Sequence, residues 1–172
     1  ADIHFDYRLA LGCIGAGADG IRINPGNIGG YERTAKVVES AKKIGIAVSV
    51  GINSGSIDKK VVKKNKGDIQ ASMVESAMEN IKLMERLGFY NFKISAKASS
   101  VPDTISIYRA ISEKCDYPLH LGVTEAGPLL RGAVKSSVGM GVLLADGIGD
   151  TIRVSLTERS VEEVKAGNLI LA

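Results

Sequence analysis

Of the 172 residues, 45% are hydrophobic but only 5% aromatic, with no Trp, so the chain can bury a core and that core must be aliphatic. This composition excludes a disordered chain, and a net charge of +3, from 22 basic and 19 acidic residues, is too balanced to mark a nucleic-acid or membrane-surface binder by charge alone. No apolar run approaches the roughly 20 residues that a membrane-spanning helix needs, and Cys13 and Cys115 lack metal-ligand spacing, so a reduced, cytoplasmic protein with no metal site of its own is expected.

The chain opens on Asp2-Ile3-His4-Phe5-Asp6, whose alternation predicts a strand over about residues 2–6, followed by a short helical segment around Cys13. Gly15-Ala16-Gly17-Ala18-Asp19-Gly20 matches the dinucleotide fingerprint in letters only. That fingerprint needs a strand before it and a helix after it, and here the order is reversed. Ile21 and Ile23 alternate with Arg22 and Asn24, and a helix fits 31–44. Val48, Val50 and Ile52 then alternate with Ser49, Gly51 and Asn53.

Ser56 is a plausible N-cap, and the stripe Val74, Ala77, Met78, Ile81, Met84 and Leu87 predicts a helix over 71–87. Phe92, Ile94 and Ala96 alternate with Lys93, Ser95 and Lys97, and Pro102 suits the first turn of a helix at 103–115. Two further strands are expected at 119–124 and 151–156, each followed by a helix, at 131–145 and at 160–171 with Ser160 as its cap. Gly17, Gly20, Gly45, Gly88 and Gly147 stand after helices, where a left-handed C-cap is wanted.

Strict alternation of strand and helix implies a parallel sheet with right-handed crossovers. The strands carry one apolar and one polar face, whereas a doubly wound sheet would read as continuous apolar runs. The fold class is therefore α/β, a partial (β/α)8 TIM barrel with about six of eight units present across residues 1–172. Its polar face would line the lumen. That lumen is normally packed with branched aliphatics, so a polar one calls for a ligand.

Active sites of such barrels lie at the C-terminal strand ends. The loops there are rich in small residues: Asn24-Pro25-Gly26-Asn27-Ile28-Gly29-Gly30, Asn53-Ser54-Gly55-Ser56, Lys97-Ala98-Ser99-Ser100 and Thr124-Glu125-Ala126-Gly127. Arg22, Lys93, Lys97 and Arg153 share the polar face, and cations gathered in a pocket need an anion, for which a diphosphate is suited. Asp2, Asp6 or Glu125 could instead pair with them internally. The two histidines, His4 and His120, fall on this face as well, and Glu125 at a strand end is the candidate acid or base.

Taken together, Ala1–Asp6, Arg22–Gly29, Lys93–Ser99, Leu119–Gly127 and Gly147–Leu156 resemble the 4-hydroxy-3-methylbut-2-enyl diphosphate synthase family of the non-mevalonate isoprenoid pathway. The resemblance runs through essentially the whole chain. It implies a reductive ring opening and dehydroxylation of methylerythritol cyclodiphosphate, with electrons passing from flavodoxin or ferredoxin through a 4Fe-4S cluster. It implies that Arg22, Asn24, Asn53, Lys97, Arg153 and Ser155 hold the diphosphate and that Glu125 is catalytic, with Asp2, His4 and Lys93 in support.

Two positions depart from the family pattern, Ser49 and Leu130, where arginines are usual. Arg131 is the nearby candidate substitute. By the same resemblance the first barrel strands and a C-terminal cluster domain lie outside this chain, the complete protein is a homodimer, bacterial-cytoplasmic or plastid, and the isolated chain is not expected to carry out the redox reaction. Rival expectations are a Schiff-base aldolase or lyase working through Lys93 or Lys97, and a non-catalytic barrel fragment.

Overall fold

Asp6 turns the expected opening strand into a helix. In the computed structural model, which describes residues 1–172, the Asp6 carboxylate caps α1 (Tyr7–Gly15) by accepting from the Arg8 backbone N–H at 2.9 Å. Arg8 also reaches it through Nη2 at 2.7 Å, and this bonding holds the carboxyl at about 2, below its usual 3.8. Of the expected strand at 2–6 only a parallel bridge between Asp2 and Arg22 remains, with Ile3 N donating to Arg22 O at 2.8 Å. The correction extends to its faces, because Ile3 is buried while Phe5 is 71% exposed and His4 and Asp2 lie open to solvent.

The chain divides into two compact units, Ala1–Ile94 and Ser95–Ala172. In the first, β1 (Gly20–Ile23), β2 (Ala47–Asn53) and the start of β3 (Phe92–Lys97) follow the sheet order β1-β2-β3, and β1 and β2 are parallel with Arg22 opposite Ser49. α2 (Tyr31–Ile44) joins β1 to β2, ending in a left-handed Gly45 as the sequence requires. Between β2 and α4 (Ile69–Arg86) come a 3-10 turn (Ser54–Ser56) and α3 (Lys59–Lys64), a helix that apolar periodicity could not signal. Its one buried residue is Val61, and Asp58 rather than Ser56 caps it. Ile21, Ile23, Val37, Val48, Val50, Met73 and Met84 form the aliphatic core of this unit.

The second unit takes the end of β3, then α5 (Val101–Ser112), β4 (His120–Leu121), α6 (Leu129–Ala145), β5 (Thr151–Ile152) and α7 (Ser160–Leu171). β4 and β5 are parallel, with His120 opposite Thr151. Pro102 occupies the first turn of α5 as expected, but α5 stops at Ser112, and Arg159 rather than Ser160 caps α7. The two late strands are shorter than their alternation suggests. One reason is Tyr108 of α5: its buried hydroxyl accepts from Ala96 N at 3.1 Å and donates to His120 O at 2.6 Å, standing where a direct ladder bond would form. Direct bonding resumes further on, where Thr124 N donates to Ala98 O at 3.0 Å. The architecture is α/β with parallel sheets, and no helix is long and apolar enough to cross a membrane.

Candidate functional site: a cationic row in each unit

In the first unit the row begins with Arg22 on β1. Its side chain is 20% exposed and Nη1 bonds Asp2 at 3.0 Å, so the internal pairing that Asp2 offered is used, whereas Asp6 is spent on Arg8. The rest of the guanidinium lies flat against β2 at Gly51. A Cβ there would sit 2.5 Å from Arg22 Nη2 and 2.8 Å from Cζ, so only glycine leaves room for it. Arg22 Nε is buried without a hydrogen-bond partner, and so is the Ser49 hydroxyl directly across the ladder. Buried unsatisfied polar groups are rare in folded proteins, and here two stand in register on adjacent strands.

Asn24, two residues past Arg22, is 6% exposed and fully engaged. Its amide donates to Ser56 Oγ at 2.7 Å and accepts from Gly26 N at 3.1 Å, while Ser56 Oγ donates to Asn53 O at 2.9 Å. Asn24 thus ties the loop after β1 to the turn after β2 and fixes where Asn53 ends its strand. Lys93 on β3 is half-buried in this unit, and His4 is exposed.

In the second unit the row begins with Lys97 at the end of β3, 7% exposed. It lies over Gly122 just past β4, where an added Cβ would be 3.1 Å from Lys97 Cε and 2.7 Å from the Arg153 carbonyl oxygen. The arrangement repeats that of Arg22 over Gly51: a long cation covers a glycine of the next strand segment. Ser95, two residues before Lys97, has a buried hydroxyl without a partner. Arg153 is exposed, held by its backbone N–H to Leu121 O at 2.9 Å, and Ser155 is half-buried.

Glu125 is exposed on the loop after β4 and has φ of 52°, one of two non-glycine residues in the left-handed region. That conformation is costly for a residue with a Cβ and clusters at functional sites. The loop is tied at both ends, Thr124 N to Ala98 O and Thr157 N to Gly127 O at 3.0 Å, so its backbone is held while the Glu125 side chain stands in solvent. His120 bonds Thr151 Oγ1 through Nδ1 at 2.8 Å, a cross-strand contact between β4 and β5.

Arg22, Asn24, Asn53, Asp2, His4 and Lys93 therefore belong to the first unit, and Lys97, Glu125, Arg153 and Ser155 to the second. Sequence reasoning did not single out Gly51, Gly122 or Tyr108. The glycines were readable only as two strand positions without a side chain, and the cations over them come from strand register.

An iron–sulfur cluster does not fit the residues present. A 4Fe-4S cluster takes about four ligands, mostly thiolates. Here there is one cysteine in each unit, and nowhere do three His, Cys, Asp or Glu side chains gather.

Comparison with known proteins places these rows in context. The family model described as the GcpE TIM-barrel domain matches residues 1–168. Among curated proteins, the chain is 57% identical over 164 residues to 4-hydroxy-3-methylbut-2-en-1-yl diphosphate synthase (flavodoxin) of Lawsonia intracellularis, covering 95% of this chain and 46% of that protein. The enzymes of the same name from Ruminiclostridium cellulolyticum and Caldanaerobacter subterraneus are each 56% identical over 171 residues, covering 99% of this chain and 48% of each relative. The chain spans about half the length of the curated relatives it matches.

Proposed function

Because the chain belongs to the GcpE TIM-barrel domain family, we propose that it is the cyclodiphosphate-binding barrel part of a 4-hydroxy-3-methylbut-2-enyl diphosphate synthase, about six of the eight β/α units of that barrel. The observation that carries this reading is the Arg22 guanidinium lodged over Gly51, its Nε buried without a partner, in ladder register with Ser49, whose hydroxyl is also unpartnered. A guanidinium held flat by sterics, with Asp2 on one nitrogen only, is preorganised for phosphate oxygens.

In this reading Arg22, Lys97 and Arg153 neutralise the phosphoryl groups, and Asn53 and Ser155 bond their oxygens. Asn24 positions Asn53 through Ser56, and Asp2 orients Arg22. Lys93 and His4 have supporting roles. The reaction opens the ring at a carbon–oxygen bond to phosphate, expels a hydroxyl as water and takes up two electrons. Glu125 supplies the proton that the departing hydroxyl oxygen needs to leave as water, from a loop whose backbone is tied at both ends. The electrons come from flavodoxin or ferredoxin, through a cluster held by residues other than these 172, in a homodimer of the complete protein working in the cytoplasm or a plastid. Ser49 leaves room beside Arg22 on this face, its hydroxyl being without a partner.

Affinity and turnover separate these roles. In the complete protein, Arg153→Ala is expected to weaken cyclodiphosphate binding at least tenfold, the loss of one charge-assisted bond of about 1.5–3 kcal/mol. Glu125→Gln is expected to leave that affinity nearly unchanged and to lower turnover by a hundredfold or more, within the range of about 10²–10⁴ for general acid–base catalysis. Calorimetry showing wild-type affinity in the Arg153 variant would remove Arg153 from the site, and full turnover in the Glu125 variant would remove the proton role.

A further inference from the structure

Five lysines, Lys59, Lys60, Lys63, Lys64 and Lys66, fall within the eleven residues from Asp58 to Asp68, against the two aspartates that bound the segment. The surplus of three equals the net charge of the whole chain, so the remaining residues are neutral in sum. The segment is α3 with its flanking turns, immediately downstream of the strand end that carries Asn53. Both aspartates are engaged as caps, Asp58 accepting from Lys60 N at 2.8 Å and Asp68 from Ala71 N at 3.0 Å. Glu75 is taken up by Lys64 and by Asn65 Nδ2, which anchors the helix to α4. Lys59, Lys60, Lys63 and Lys66 are left exposed, outside the ion pairs of this unit.

The chemistry of this patch limits what it can meet. Val61 is buried and Val62 half-buried, so α3 offers no apolar face to a membrane. No aromatic side chain occurs between Glu32 and Gly88, so the segment itself carries none on which single-stranded bases would stack. The cations are all lysines, hydrated point charges on flexible stems, which steer an encounter without fixing one bidentate geometry. Brief electron-transfer complexes have small, charge-guided interfaces of this kind.

We propose that the Asp58–Asp68 segment is the docking surface for an acidic protein, the carrier that delivers electrons to the complete enzyme. This rests on the functional reading above, in which a soluble electron-transfer protein must bind and leave at each turnover. The lysines raise the rate and strength of encounter, and they act without touching the cyclodiphosphate.

The test uses the complete protein and a triple variant, Lys59→Gln, Lys60→Gln and Lys63→Gln, which leaves the Lys64–Glu75 anchor intact. Binding of oxidised flavodoxin is titrated at several ionic strengths without the cyclodiphosphate. The dissociation constant is expected to rise about tenfold at low salt and its dependence on ionic strength to flatten. Turnover with a small reductant such as reduced methyl viologen should be unchanged. The same constant and slope in wild type and variant would overturn the proposal, as would no flavodoxin binding by the wild type. It also fails if the variant loses affinity only for an RNA oligonucleotide or anionic vesicles. A protein that binds flavodoxin through these lysines but does not bind the cyclodiphosphate would instead sink the functional reading.

Discussion

Glu125 carries two demands that pull against each other. Its backbone at φ 52° suits glycine, yet a carboxylate stands there. Left-handed backbone costs an L-residue about 1–2 kcal/mol, partly offset in glycine by its larger entropy loss on folding. Glu125→Gly should therefore make the complete protein about 0.5–1 kcal/mol more stable while abolishing turnover, a trade of function for stability. Thermal unfolding checks it: a lower melting temperature in the glycine variant would mean that the loop stores no strain. The sequence places the carboxylate in the rim loop, directly after an alternating run. Its backbone strain was not legible, because residue letters do not reveal φ.

The same limit applies to Arg22. Its place on a polar strand face could be read from alternation, and pairing with Asp2 was one of the alternatives that reading left open. What could not be read is that the guanidinium lies over Gly51, a contact set by the register of β1 on β2.

Among the elements, the helices kept their expected order and nearly their expected ends, since a wide apolar stripe and a cap are local signals. α4 begins two residues before the expected start at 71, after the Asp68 cap, and α3 was missed because six residues with one buried valine carry no period. Strands fared unevenly. β2 and β3 cover the whole of their alternating runs, but strand pairing is non-local, and three alternating runs shortened where something other than a neighbouring strand met the backbone.

Asp6 is one such cause, and Tyr108 is another. Tyr108 is fully buried with its hydroxyl between Ala96 N and His120 O, so Tyr108→Phe leaves both backbone groups without a partner. The expected loss is about 1–3 kcal/mol. Urea unfolding and amide exchange check it together: the Ala96 amide should lose protection, and wild-type stability with an unchanged Ala96 amide would show that the hydroxyl is not a strut.

At the scale of the whole molecule, one device recurs in both units. A glycine on one strand segment makes room for a long cation from another, Gly51 for Arg22 and Gly122 for Lys97. The consequences of filling the two spaces differ. At Gly122 a methyl group would meet the Arg153 carbonyl at 2.7 Å, a backbone clash, whereas at Gly51 it would meet only the end of a side chain. Gly51→Ala thus keeps every charge and every strand while moving one guanidinium.

The decisive measurement is a calorimetric titration of the complete protein and its Gly51→Ala variant with the cyclodiphosphate, run beside thermal unfolding. The prediction is an affinity at least tenfold weaker, about 1.4 kcal/mol or more, with a melting temperature within about 4 °C of wild type. Unchanged affinity in a folded Gly51→Ala protein would contradict the claim that the seated guanidinium of Arg22 grips a phosphoryl group.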